Sequence, residues 1–322
     1  MKRQAGVALI TVLLVVALVS VVCTGLVLRQ QLAIRSTGNQ LLVRQAHYYA
    51  EGGELLAKAI LLRDLREGDP RMPVDHLGEA WAHPRLSFPL DEGGELTLRI
   101  TDLSGRFNLN SLAAEGEQGE LAMLRFRRLL RLLGIEPAIA ERLRDWLDTD
   151  QELSGSQGAE DAQYLLLQPA YRTGPGRIES VSELRLLLGM GEVDYRRLVP
   201  FVSALPVEVG LNVNTASAQV LAALADGVSP RSVEGVIAAR SRTGFRDVDS
   251  FIQQFGNGGV SAQGLQVGSA YFQVTSEVHL GERRQVLVSA LQRGNDGRVR
   301  VLARDLGQSG DEPVPPNKES EQ

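Results

Sequence analysis

The chain's densest run of oxygen side chains lies between Asp145 and Asp161, where Asp148, Asp150 and Glu152 alternate and Glu160 and Asp161 follow a stretch rich in Ser and Gly. A tight loop can turn alternating carboxylates inward, and Glu160-Asp161 can close the cage from the far end, which suits a hard cation with six to eight oxygen ligands. No His or Cys lies in the run, so calcium is favoured over zinc or copper. The spacing departs from an EF-hand: Leu153 stands where its Gly would, and Ala159 where its terminal Glu would, with Glu160 one position on. A solvated surface loop has the same composition. On residue types alone, a cation cage and a wet acidic loop both stand.

Other chemistry has little to work with. Gly155-Ser156-Gln157-Gly158 is not a nucleophile elbow, because Ser154 replaces the first Gly that motif needs. No phosphate loop, dinucleotide fingerprint or His-Glu-x-x-His occurs. His47, His76, His83 and His279 are scattered without metal-ligand spacing, and the single cysteine, Cys23, lies in an apolar run. The remainder of the chain therefore has no disulfide to hold it. A net charge of -5 over 322 residues does not recommend a nucleic-acid partner.

The acidic run interrupts an internal repeat. Phe107-Asn108-Leu109-Asn110-Ser111, Gly134-Ile135-Glu136-Pro137 and Glu179–Leu184 form one copy. Leu211-Asn212-Val213-Asn214-Thr215, Gly227-Val228-Ser229-Pro230 and Arg246–Phe251 form the other. Asn110 or Ser111, and Asn214 or Thr215, are expected to cap helices, as are Ser180 and Asp247. Pro137 and Val181 are 44 positions apart, whereas Pro230 and Val248 are 18 apart, so the first copy holds the acidic run as an extra segment. Two small helical units, at about 107–190 and 211–256, are expected inside an α-domain spanning 112–265.

Strands flank that domain. Glu95–Asp102, Tyr271–His279, Gln285–Gln292 and Arg298–Arg304 alternate polar and apolar residues, as half-buried strands do. The fold class is thus α+β, with a small antiparallel sheet built from 67–111 and 266–307 and an α-domain inserted between its strands. Pro70–Pro89 reads as an irregular connector, and 308–322 as a disordered tail. Upstream, 29–66 has no proline and repeats apolar residues by sevens at Ile34, Leu41, Tyr48, Leu55 and Leu62, predicting one long helix packed on the domain core. Gly52-Gly53 would let it approach a sheet closely.

That helix continues an uncharged apolar run, Val7–Leu28, whose length of about 33 Å crosses a bilayer. Lys2 and Arg3 before it place the N-terminus in the cytoplasm and the remainder across the membrane. A basic leader, Gly6, then Val7-Ala8-Leu9-Ile10-Thr11 resembles the signal of type IV pilins and pseudopilins, and Thr11 in place of the usual Glu resembles the type II secretion protein K family of large minor pseudopilins.

The resemblance implies cleavage after Gly6 and methylation of Val7 by the prepilin peptidase, with 1–6 as leader, 7–28 as transmembrane helix and 29–66 as stalk. It implies an inner-membrane anchor with a periplasmic head, and assembly with minor pseudopilins I and J into a pseudopilus tip that helps move folded exoproteins through the secretin. Thr11 becomes an assembly residue. The acidic run becomes a structural calcium site, with Asp148, Asp150, Glu160 and Asp161 as first-choice ligands and Asp145 and Glu152 next. The repeats become SAM-like units. They are also similar to helix-hairpin-helix modules, which makes a membrane-anchored DNA-binding protein the alternative. Glu136 and Ser229, at the places of a phosphate-gripping Gly, argue against it.

Overall fold

The computed structural model describes residues 5–306 except 70, 71, 92, 175, 241, 242, 257, 258 and 295. The expected disordered tail and the basic leader residues Lys2 and Arg3 lie outside the described residues.

Helix α1 (Ala5–Glu67) is continuous through the apolar run and the stalk. It is the one described helix long and apolar enough to cross a membrane. Strands β1 (Leu86–Leu90) and β2 (Gly94–Asp102) follow. The helical domain then runs through β3 (Phe107–Asn108), α2 (Gly116–Leu132), α3 (Ile139–Leu147), α4 (Asp161–Tyr164), α5 (Glu192–Leu198) and β4 (Val202–Ser203). It continues with β5 (Leu211–Asn212), α6 (Ala218–Ala222), α7 (Glu234–Arg240), α8 (Val248–Phe255) and β6 (Leu265–Gln266). Strands β7 (Tyr271–Leu280), β8 (Arg283–Arg293) and β9 (Val299–Asp305) complete a five-stranded antiparallel sheet in the order β1-β2-β7-β8-β9.

The inserted domain thus departs from β2 and returns into β7, two strands that are hydrogen-bonded neighbours from Gly94↔Leu280 to Asp102↔Phe272. Phe107 and Leu109, assigned from sequence to the sheet domain, instead join the helical core, which also takes in Leu265 and Val267. The connector is shorter than expected: β1 occupies Leu86–Leu90 although it contains Pro89. As the outermost strand it tolerates a residue without N–H.

α1 packs on the sheet through the face opposite to the heptad stripe. Ala46, Ala50, Gly53, Ala57 and Leu61 are buried, whereas Ile34, Leu41, Tyr48 and Leu55 are 61–69 % exposed. Small side chains at Ala46, Ala50, Gly53 and Ala57 bring the helix backbone down onto β7 and β8, and Leu61 packs among Trp81, Leu98 and Phe272 further along. Gly53 lies against Ser276 and Leu96, while nothing approaches Gly52 within 4 Å. Glu54, buried in the same face, accepts bonds from Lys58 Nζ (2.8 Å), Ser289 Oγ (2.7 Å) and Arg304 Nε (2.7 Å). Arg304 first, then Lys58 and Ser289, hold its carboxyl down at about 2 against the pull of burial.

The repeat is closed by asparagines that do not cap helices. Asn110 accepts from Ile178 N and donates to the carbonyls of Ile178 and Leu205, each at 2.9 Å. Asn214 does the same in the second unit, with Phe245 N and O and the Val267 carbonyl. Each unit is also tied by a two-residue parallel pair, β3 with β4 and β5 with β6. The units therefore close near 202–205 and 265–267, beyond the boundaries expected from sequence. Ser180 and Asp247 do cap, and Asn108 and Ser217 cap where Asn110 or Ser111, and Asn214 or Thr215, were expected to.

Because the two adjacent glycines face different surroundings, their substitutions should act in opposite directions. Gly52→Ala should stabilise by about 0.5–1 kcal/mol, whereas Gly53→Val should cost about 1–3 kcal/mol by forcing α1 off the sheet. Denaturant melts of both variants check this, and equal responses would contradict the close approach at Gly53.

Candidate functional site

α3 ends at Leu147, and Asp148 takes extended backbone while donating its N–H to the Arg144 carbonyl (3.1 Å). Asp145, one turn before the helix end, faces inward and is 1 % exposed. The loop then returns so that Glu160, immediately before α4, meets them. Carboxylate oxygens of Asp145, Asp148 and Glu160 all lie within 4.8 Å of one another. Glu160 N donates to Gln163 Oε1 (2.9 Å), which fixes the start of α4. Trp146, Tyr164 and Tyr171 pack ring against ring at 5.2–6.4 Å, giving the site an apolar floor.

The loop folds around Asp145. Its Oδ1 accepts from Ser154 N and its Oδ2 from Ala159 N, both at 2.8 Å. A side chain at Gly158 would collide with that carboxylate, so only glycine lets the loop close here. In contrast, Asp148 Oδ1 and Glu160 Oε1 are buried with no hydrogen-bond partner among the described residues. Burial, followed by the negative charges around it, pushes Asp148 up to about 6 and Glu160 up to about 7. Three converging carboxylates, two of them with an orphaned oxygen, concentrate negative charge that Arg144 only partly offsets. The donor set is all oxygen, and the separations are those two ligands reach across one ion at about 2.4 Å each.

Among the residues singled out from sequence, Asp148 and Glu160 enter this cluster, and Asp145, a second choice, is its most buried member. Asp150 stands beside it, adding to the field on both raised groups, while its Oδ1 accepts from Glu152 N (2.7 Å). Glu152 is exposed. Asp161 turns away and is held by Arg172 Nη1 (2.7 Å), Thr173 N (3.0 Å) and Thr173 Oγ1 (3.1 Å), which keep its carboxyl below the ordinary range. Alternation along the loop placed Asp148 and Asp150 ahead of Asp145, which joins the cluster because the site is built from a helix end. Asp145 and Asp148 are one turn apart, an i, i+3 relation legible only once α3 is known to reach Leu147.

A second acidic cluster, Asp64, Asp75 and Glu79, is closed differently. The Arg293 guanidinium donates Nη1 to Asp64 (2.9 Å) and Nη2 to Asp75 Oδ2 (2.7 Å), filling the place a metal would take.

With this geometry in view, the comparisons with known proteins are direct. Two models of type II secretion system protein K match residues 105–207 and 211–275. Type II secretion system protein K of Pseudomonas aeruginosa is 58 % identical over 320 residues, covering 96 % of this chain and 95 % of that protein. The Aeromonas hydrophila protein is 34 % identical over 94 % of this chain and 97 % of its own length.

The chain belongs to the type II secretion system protein K family.

As a member of that family it is a minor pseudopilin, anchored by its N-terminal apolar helix. Its fold is similar to a chain of the GspK-GspI-GspJ complex from the type 2 secretion system of enterotoxigenic Escherichia coli, with a TM-score of 0.74, 27 % identity, and coverage of 85 % of this chain and 99 % of that one. The DNA-binding alternative gains no support from these relatives. The model matches divide between 207 and 211, where the two repeat units meet.

Raised carboxyl pKa values make the metal-free loop pH-sensitive. Asp148 and Glu160 titrate higher folded than unfolded, so the stability they contribute is complete below about pH 4 and is lost as pH rises through 6 to 7. The metal-free protein should therefore melt several degrees lower at pH 8 than at pH 5, and Glu160→Gln should flatten that profile. Calorimetry in the presence of a chelator reads both, and an unchanged slope in the variant would contradict the clustering.

Proposed function

We propose that this chain caps the tip of a type II secretion pseudopilus, seeded with minor pseudopilins I and J, and helps move folded exoproteins through the outer-membrane secretin. The anchor lies in the inner membrane with a cytoplasmic N-terminus and a periplasmic head. The prepilin peptidase cuts after Gly6 and methylates Val7, the first residue of the retained helix. Thr11 Oγ1 donates back to the Ala8 carbonyl (2.9 Å), so this position brings no buried carboxylate into the bilayer, in keeping with a subunit that enters first and has no earlier amine to neutralise.

The observation that carries this reading is the bare stripe on the stalk. Ile34 and Leu41 lie where α1 is exposed all round, and Tyr48 and Leu55, in the same seven-residue repeat, stay exposed on the face that the head leaves free. Such a seam suits side-by-side packing with other long helices. Its partners, by analogy with the complex named above, are I and J. Leu41→Glu should reduce recovery of the three-protein complex about tenfold or more, since a buried charge in a helix seam costs several kcal/mol, while the head keeps its melting temperature. Co-purification from membranes checks this, and undiminished recovery would refute the stripe as the interface.

Asp145, Asp148 and Glu160 are the proposed calcium ligands, with Asp150 the nearest further carboxylate. The ion would supply the positive charge that the orphaned oxygens lack and would hold the loop to α3 and α4 in a chain whose head has no disulfide. Calcium at a hundredfold excess over its dissociation constant should stabilise the protein by about 2.7 kcal/mol. Asp145→Asn should abolish that response, and a calcium-insensitive wild-type melt at pH 7.5 would overturn the assignment.

A further inference from the structure

The pairing of β9 with β8 runs from Val299 opposite Arg293 to Asp305 opposite Val288, so among the described strands none covers the outer edge of β8 over residues 283–287. An open strand edge is a template for another strand. Where that edge ends, the tip of the β7–β8 hairpin overhangs α1, and Arg283 with Leu32, Arg35, Asn39, Val43 and Arg44 lines a notch of about 570 Å³. These α1 residues continue, toward the N-terminus, the face that seats Ala46 and Ala50 on the sheet. Arg35, Arg44 and Arg283 make no ion pair with any described residue, and no Asp or Glu lines the notch. Glu282 adjoins Arg283 in sequence, and on the stalk no acid precedes Glu51. Three cations facing one concave surface attract an acidic segment.

The chain continues beyond the described residues as Gly307-Gln308-Ser309-Gly310-Asp311-Glu312-Pro313. Carried on residue by residue, the register of β9 would set Leu306 opposite Leu287, Gln308 opposite Gln285 and Gly310 opposite Arg283. Arg304, opposite Ser289, reaches Glu54 on α1, so its side of β9 is the α1 side. Side chains alternate along a strand, and Leu306, Gln308, Gly310 and Glu312 would fall on that same side. Leu306 would then stand beside the buried Leu287, and Glu312, about 7 Å beyond Gly310, would pass the hairpin tip and come level with the arginines. Pro313 has no N–H and would end the pairing there. The polar composition of this segment favours disorder when it stands alone. An open edge and a basic notch give it partners.

We propose that residues 306–312 extend β9 along the open edge of β8 and bring Glu312, with Asp311 beside it, to the notch, where Arg35, Arg44 and Arg283 hold the carboxylates. The docked segment closes the edge to strands of other molecules and neutralises the basic face of the stalk. It lies on the side of α1 away from Tyr48 and Leu55, and it does not depend on the secretion reading.

The test uses the purified full chain in detergent at low salt. Hydrogen exchange should show residues 284–287 and 306–310 protected together, and Glu312→Lys or removal of residues 308–322 should speed exchange at 284–287 about tenfold, with the melting temperature of the head unchanged. Arg283→Glu added to Glu312→Lys should restore the protection. Register is read by cross-linking in a Cys23→Ser background: Gln285→Cys should form an intramolecular disulfide with Gln308→Cys and not with Ser309→Cys, which falls on the other side of the strand. Exchange of residues 306–310 at the rate of a free chain, equal linking at 308 and 309, or links between two molecules would overturn the proposal.

Discussion

Everything in the head is referred to one buried polar joint centred on Arg293 and Asp102. Arg293 reaches from the end of β8 to Asp64 on α1, to Asp75 in the connector and to the Ser269 carbonyl. Asp102, at the end of β2, accepts from Ser104 N (2.7 Å), Asn212 Nδ2 (3.0 Å), Thr215 Oγ1 (2.6 Å) and Ser269 Oγ (2.6 Å). Burial raises the carboxyls of Asp75 and Asp102 despite these donors. Charges this deep are tolerated only when their bonds are made together, so the stalk, the sheet and the second helical unit must meet in one arrangement. Removing Arg293 would leave Asp64 and Asp75 without their shared counter-charge.

That rigidity lets an insertion between two neighbouring strands behave as part of one head. β2 leaves the sheet and β7 re-enters beside it, so the helical domain joins the sheet through two adjacent chain crossings and would pivot there without the polar joint. Asn212 serves two structures at once: its Oδ1 positions Asn214 N inside the second unit, while its Nδ2 bonds Asp75 and Asp102 outside it. The acidic loop already seats Ala159 and Tyr164 in the helical core, and a cation bound by carboxylates from a helix end and the next helix start would add a second tie.

The stalk shows a division of labour between its two faces. Ala46, Ala50, Gly53 and Ala57 give close approach to the sheet, and Glu54 fixes register through Ser289 and Arg304. The opposite face leaves its large apolar side chains exposed. A seven-residue repeat is visible in the sequence, but it specifies a helix and a stripe without saying which side the protein's own sheet will take. Packing decides that, because small residues gain contact for the backbone where large ones would hold it away.

The sequence by itself determined the elements whose signals are local. The apolar run and its basic leader, the alternating strands around the helical insert, the two copies of the Asn-x-Asn motif and the family signature at Gly6-Val7 through Thr11 all follow from neighbouring residues. Only the tertiary structure decided what depends on distant groups meeting. Asn110 and Asn214 looked like helix caps and instead close their units on backbone 68 and 31 residues away. Asp161, adjacent to the cluster in sequence, is captured by Arg172 and Thr173, while Asp145 is turned into it by the face that α3 buries. Residue type sets which ion an acidic loop prefers; which carboxylates converge is set by helix ends and by competing donors, and those are fixed only when the chain has folded.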